Sequence, residues 1–136
     1  NYSQQTLSNA KAICQVLKEK GFDIVSGGTD CHMLLVDLTN KGVSGKCAEN
    51  TLDLAGITCN KNSIPFDDKS PFITSGIRIG TAAGTTRGFK EEEFRYIAEL
   101  IDEVIKAVQG DENLIAKTTA NVRKKVLTLC NNFPLY

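Results

Sequence analysis

Apolar residues recur along this chain at two different periods, and the switches between them mark out its elements. Leu7, Ala10, Cys14 and Leu17, with Ile13 and Val16 widening the stripe, put one apolar face on a helix from Ser3 to Lys20, and Gly21 follows as its stop. From Lys90 the pattern is again helical: Phe94, Ile97, Ala98, Ile101, Val104, Ile105 and Val108 keep the i, i+3, i+4, i+7 spacing. Glu91, Glu92 and Glu93 suit the dipole of that helix's first turn. Gly110 and Asp111 mark a break and a fresh cap, and Ile115, Val122, Val126, Leu129 and Cys130 carry a final helix ending near Asn131. A shorter helix runs from Ser44, its cap, to Ala55, with Ala48, Leu52 and Ala55 on one side and Gly56 ending it.

Between the helices the pattern turns to strands. Phe22 to Ser26 and Met33 to Leu38 read as two strands joined by a turn from Gly27 to His32; no helix follows Gly27-Gly28, which favours a turn over a phosphate loop. Ile57-Thr58-Cys59 reads as a third, short strand, followed by a polar loop from Asn60 to Phe72 pinned by Pro65 and Pro71. A long loop stiffened by proline is either functional or a plain surface excursion. In the strand from Ser75 to Gly80, Ile77 and Ile79 share one face, while Gly76, Arg78 and Gly80 share the other. Thr81 to Gly88 is a small-residue turn with room for one turn of helix, which would let another surface come close. The fold class is α/β in the loose sense, an α+β two-layer arrangement. A small, mostly antiparallel sheet of three or four strands has one face covered by helices and the other left for a partner.

Composition narrows the function classes. A chain of 136 residues with 41% hydrophobic and 24% charged content is ordinary for one soluble domain. Sixteen basic residues balance sixteen acidic ones, so there is no electrostatic footprint for nucleic acid or for an anionic membrane surface. No apolar run reaches membrane-spanning length and no charged leader opens the chain, which predicts a cytoplasmic protein. A start on Asn1 that leads at once into a helical pattern is how a piece of a longer polypeptide would look.

Cys14, Cys31, Cys47, Cys59 and Cys130 are odd in number and scattered, and read as free thiols, with Cys14 and Cys130 as small core residues. The three successive glutamates diverge around a helix and cannot converge on one metal ion, so no metal site is predicted. His32 is the single histidine and has no evident orienting partner, so the structural role outweighs the catalytic one.

Arg78 is the first candidate for binding. It stands between two residues without side chains, on the face away from the core, where a flat anion can come close to the backbone. Its planar fork matches a carboxylate with two parallel hydrogen bonds. The competing reading is an exposed arginine protecting an edge strand.

Several motifs in the same order resemble the C-terminal domain of serine hydroxymethyltransferase. They are Val25-Ser26-Gly27-Gly28-Thr29-Asp30 with His32, Leu35-Val36-Asp37-Leu38, Asn60-Lys61-Asn62-Ser63-Ile64-Pro65, Lys69-Ser70-Pro71-Phe72, Thr74 to Thr81, and Thr86-Arg87-Gly88-Phe89. The resemblance covers essentially the whole chain. It implies one C-terminal domain of a longer enzyme, with residues 1–21 the connecting helix, 22–88 the sheet and ligand loops, and 89–136 the terminal helices. It also implies the reversible transfer of the serine hydroxymethyl group to tetrahydrofolate, giving glycine and methylenetetrahydrofolate, with pyridoxal phosphate as cofactor. Under it, Arg78 grips the amino-acid carboxylate, and Asn62 with Ser70, Pro71 and Phe72 lines the folate site. Arg87 is read as supporting the site, in preference to binding a main-chain carbonyl. The open sheet face then closes against the large cofactor-binding domain of the same chain, in a homodimer.

Family members often carry a proline where Ala82 or Ala83 stands. The family's cofactor lysine, which follows a run of threonines and a histidine, has no match here, so the segment alone is predicted to lack both cofactor and transferase activity. A stand-alone carboxylate-binding module remains the alternative from another class. A domain of another pyridoxal-phosphate aldolase or aminotransferase is a second, disfavoured by the Asn60 to Pro65 and Lys69 to Phe72 motifs.

Overall fold

The computed structural model describes residues 2–25 and 33–133, so the predicted turn from Gly27 to His32, with His32 and Cys31, lies outside the described residues. In order, the elements are α1 (Tyr2–Glu19), β1 (Asp23–Ile24), β2 (Met33–Asp37), a 3-10 turn (Thr39–Lys41), α2 (Gly45–Leu54), β3 (Asn60–Asn62), β4 (Gly76–Gly80), α3 (Ala82–Arg87), α4 (Glu91–Val108) and α5 (Glu112–Asn132). The predicted caps are in place: Ser44 accepts from Cys47 N–H at the start of α2, and Asp111 accepts from Leu114 N–H at the start of α5. The small-residue segment after β4 is the short helix α3, closed by Gly88 at a φ of 102°.

The four strands form one antiparallel sheet in the order β1-β2-β4-β3. β4 is therefore an interior strand, paired on both sides, and the reading of Arg78 as an edge-protecting charge does not hold. Its inner face carries Ile77 and Ile79, opposite Val36 and Leu34 of β2, all buried. Against this face pack α1 and α2; α4 lies over α1, and α5 lies over α4 and α2. Ile13 and Leu17 of α1, Leu52 of α2, Ile101, Val104 and Ile105 of α4 and Val122 of α5 complete the core. Each such side chain contributes roughly 1.5–3 kcal/mol by leaving water.

Two strands differ from the sequence expectation. The third strand is the polar Asn60–Asn62, not Ile57 to Cys59. Ile57 N–H donates to Leu52 O at 2.9 Å, so this stretch still belongs to the turn closing α2, and Ile57 and Cys59 are buried as it descends through the core. An edge strand with one face open to water needs no apolar run, which is why β-propensity pointed three residues too early. The first strand starts at Asp23 rather than Phe22, because Phe22 N–H is taken by Leu17 O at 2.9 Å in the turn ending α1; its predicted end, Ser26, lies outside the described residues.

A buried polar network ties α1 to the exit of β4. Asn9 is fully buried, and its Nδ2 donates to Thr85 Oγ1 and to Phe89 O, each at 2.9 Å, while its Oδ1 accepts from Gln5 at 2.9 Å. Thr85 Oγ1 donates to Thr81 O at 2.7 Å, and Thr81 Oγ1 donates to Thr6 O at 3.2 Å. The end of the arginine-bearing strand is thus held by satisfied polar groups rather than by packing alone.

Candidate functional site

Cross-strand register sets out the open face of the sheet in rows. Leu35, Arg78 and Asn60 form one row across β2, β4 and β3; Asp37, Gly76 and Asn62 form the next. Arg78 is exposed, and its guanidinium makes no hydrogen bond or ion pair with any described residue. Gly76 and Gly80 leave its side chain without neighbours along its own strand. Asn62 is its diagonal neighbour, roughly 7–8 Å away on a regular sheet. Two amides and one guanidinium therefore share a small area, with Leu35 as the apolar flank.

Residues 63–75 connect β3 to β4 and carry the other candidates. Ile73 and Thr74 N–H both donate to Ser70 O, at 3.0 and 2.9 Å, so Ser70, Pro71 and Phe72 form a tight exposed turn. Phe72 is 79% exposed and Phe66, with a φ of 58°, is fully exposed. The far end of the loop docks on the start of α2: Gly45 N–H donates to Thr74 O at 3.0 Å and Lys46 N–H to Ile73 O at 2.9 Å. Ile64 reaches back over Gly76, leaving no room there for a Cβ.

Asp67 sits at the centre of this loop. Desolvation works to raise its carboxyl, but hydrogen bonds from Lys69 N–H, the Ser75 hydroxyl, Ser75 N–H and Ile64 N–H outweigh it and hold the group well below the usual carboxylate range. Arg87 lies elsewhere: its Nη2 donates to Cys130 O of α5 at 3.1 Å, the main-chain contact rather than the supporting role preferred from the sequence, and its Nε is buried without a partner. Sequence reasoning missed Asn60, Asp67 and Phe66. With β3 placed at Asn60–Asn62, period two alone puts Asn60 and Asn62 on the face of Arg78.

Other features lie apart from this face. A shallow groove of about 420 Å³ lined by Leu54, Ile115, Ala116, Ala120 and Arg123 runs along α5 and shares no residue with the candidates. Among the described residues no group of three or more histidine, cysteine and acidic side chains is placed to hold a metal ion, and no helix is long and apolar enough to cross a membrane. Lys61, Lys106 and Lys125 are paired with Glu49, Asp102 and Glu103. Lys41 donates to Lys20 O, and Lys69 to Ser75 Oγ.

Residues 1–101 match the family model described as serine hydroxymethyltransferase. The chain is 53% identical over 136 residues to a serine hydroxymethyltransferase of Rickettsia prowazekii, covering 100% of this chain and 32% of that protein. It is 52% identical over 136 residues to one of Novosphingobium aromaticivorans, covering 99% and 31%. With one of Legionella pneumophila strain Corby it is 51% identical over 135 residues, again covering 99% and 31%. The chain thus spans about a third of the length of the curated relatives it matches.

Proposed function

The chain belongs to the serine hydroxymethyltransferase family, and from that premise we propose that it forms the C-terminal domain of a pyridoxal-phosphate-dependent enzyme interconverting serine plus tetrahydrofolate with glycine plus 5,10-methylenetetrahydrofolate. The observation that carries this reading is the unpartnered guanidinium of Arg78 at the middle of an open sheet face. A free fork between glycines suits a small carboxylate, which it binds by two parallel hydrogen bonds. Asn62, whose Nδ2 donates to Ser63 O at 2.9 Å, keeps a second N–H and its carbonyl oxygen for a heteroaromatic ring, and Phe72 supplies an apolar wall beside Ser70 and Pro71.

Pyridoxal phosphate, when bound, supplies the electron sink for bond cleavage. The family's cofactor lysine, which follows a run of threonines and a histidine, has no counterpart among the lysines of this segment. The cofactor is therefore assigned to the large domain of the same chain, and no step through it is assigned to these residues. The open face closes against that domain in a homodimer, and the segment alone is inactive.

In the full-length enzyme carrying this segment, Arg78→Lys is expected to lower kcat/KM for serine at least about 30-fold, the lower end of a 2–5 kcal/mol loss for a broken charge pair. Because the Arg78 side chain makes no hydrogen bond or ion pair with any described residue of this domain, the circular dichroism spectrum stays unchanged. An unaltered kcat/KM for serine overturns the assignment. Intact mass and visible absorption of the natural protein give an independent check. A colourless protein of 136 residues would point instead to a carboxylate-binding module.

A further inference from the structure

The two arms proposed to line the folate site share no backbone ladder with each other; one carboxylate joins them. Asp67 Oδ2 accepts from Ile64 N–H at 3.2 Å and from Ser75 N–H at 2.8 Å. Its Oδ1 accepts from Lys69 N–H at 2.9 Å and from Ser75 Oγ at 2.7 Å. Ile64 closes the Asn62 arm, Lys69 opens the Ser70 to Phe72 arm, and Ser75 is the root of β4. Lys69 Nζ adds a contact to Ser75 Oγ at 3.2 Å. Both oxygens accept and neither donates, so the donor set requires an ionised carboxylate and not an amide.

Arg78 is held differently. Its strand is laddered on both sides, to β2 and β3, and none of those pairings runs through Asp67. Phe66, immediately before Asp67, is kept at a φ of 58°, a left-handed backbone that costs roughly 1–3 kcal/mol and persists only where the surroundings over-determine it. The four hydrogen bonds to Asp67 provide that constraint.

We infer that Asp67 is a positioning residue that fixes the Asn62 arm and the Ser70 to Phe72 arm relative to each other, and so sets affinity for the folate without setting affinity for the amino acid. The inference rests on the folate reading of those two arms. Lost charge-assisted hydrogen bonds in Asp67→Ala should raise KM for tetrahydrofolate about tenfold or more, with KM for serine within about twofold of wild type.

The test measures both KM values in the full-length enzyme for wild type, Asp67→Ala, Asp67→Asn and Ser75→Ala, together with amide hydrogen exchange over residues 33–37 and 60–75. Asp67→Ala should give the largest rise in folate KM and Ser75→Ala, which removes one donor of four, the smallest. Exchange should quicken in the loop but not in β2. If Asp67→Ala fails to fold, Asp67→Asn and Ser75→Ala carry the same comparison. A folate KM unchanged across the series overturns the inference, as does an equal rise in both KM values. Loss of the functional reading itself has a different signature: Arg78→Lys leaves serine kinetics untouched, and the clamp's assignment to folate falls with it.

Discussion

A methyl group added at Gly76 tests how tightly the loop and the sheet are built around the candidate site. An ideal Cβ there lies 2.7 Å from Val36 O, 2.9 Å from Ile64 Cγ2 and 3.0 Å from Asn62 O. The two oxygens belong to the backbones of both flanking strands, so relief requires β2 and β3 to move apart and lengthen ladder hydrogen bonds. Overpacking costs about 1–3 kcal/mol and two weakened ladder bonds add about 1 kcal/mol, while the stiffer alanine backbone returns about 0.5–1 kcal/mol. The net expectation for Gly76→Ala is a loss of about 1–3.5 kcal/mol, or a fall in Tm of roughly 3–18 °C for a chain of this size. Gly42→Ala is the control: its Cβ meets nothing within 4 Å, and with φ at +69° the left-handed cost of about 1–2 kcal/mol, less the same backbone return, leaves a loss of about 0–1.5 kcal/mol. Thermal and urea unfolding followed by circular dichroism measure both. If Gly76→Ala costs no more than Gly42→Ala, the close approach of strands and loop at Gly76 is wrong.

Two further outcomes follow from buried polar groups. Asn9→Ala removes both donors to Thr85 Oγ1 and Phe89 O and the acceptor for Gln5, so it should cost about 2–3 kcal/mol and lower the urea midpoint by roughly 1–2 M; a change below about 0.5 kcal/mol would mean that the network is not closed. Burial, with help from the charges of Glu49 and Asp53, pushes the Cys59 thiol up from 9.0 to about 12. The unfolded chain therefore releases this proton first: stability from the group is intact below pH 9 and falls as pH rises towards 12, by up to about 1.4 kcal/mol per unit. Urea unfolding under reducing conditions from pH 8 to 11 should show a steeper decline in wild type than in Cys59→Ala, and identical slopes would refute it.

What residue order alone determined is what periodicity can report. The amphipathic stripes placed α1, α2, α4 and α5 within a residue or two, because a helix that buries one face must repeat its apolar residues at the helical period. Alternation about Ile77 and Ile79 put Arg78 on the open face for the same reason at period two. The motif resemblance, not periodicity, named Asn62 and Ser70 to Phe72.

Tertiary structure alone decided the rest. The interior position of β4, which turned Arg78 from a possible edge guard into the centre of a face, follows from strand order, and no local pattern encodes which strands become neighbours. β3 fell on Asn60–Asn62 because pairing with β4 satisfies its backbone, whatever its side-chain propensity. Arg87 found Cys130 O across 43 residues, and Asn9 found Phe89 O across 80. Such contacts form only once helices have docked, since a hydrogen bond depends on distance and angle in space, and those are set by the packing of faces whose sequence separation carries no record of it.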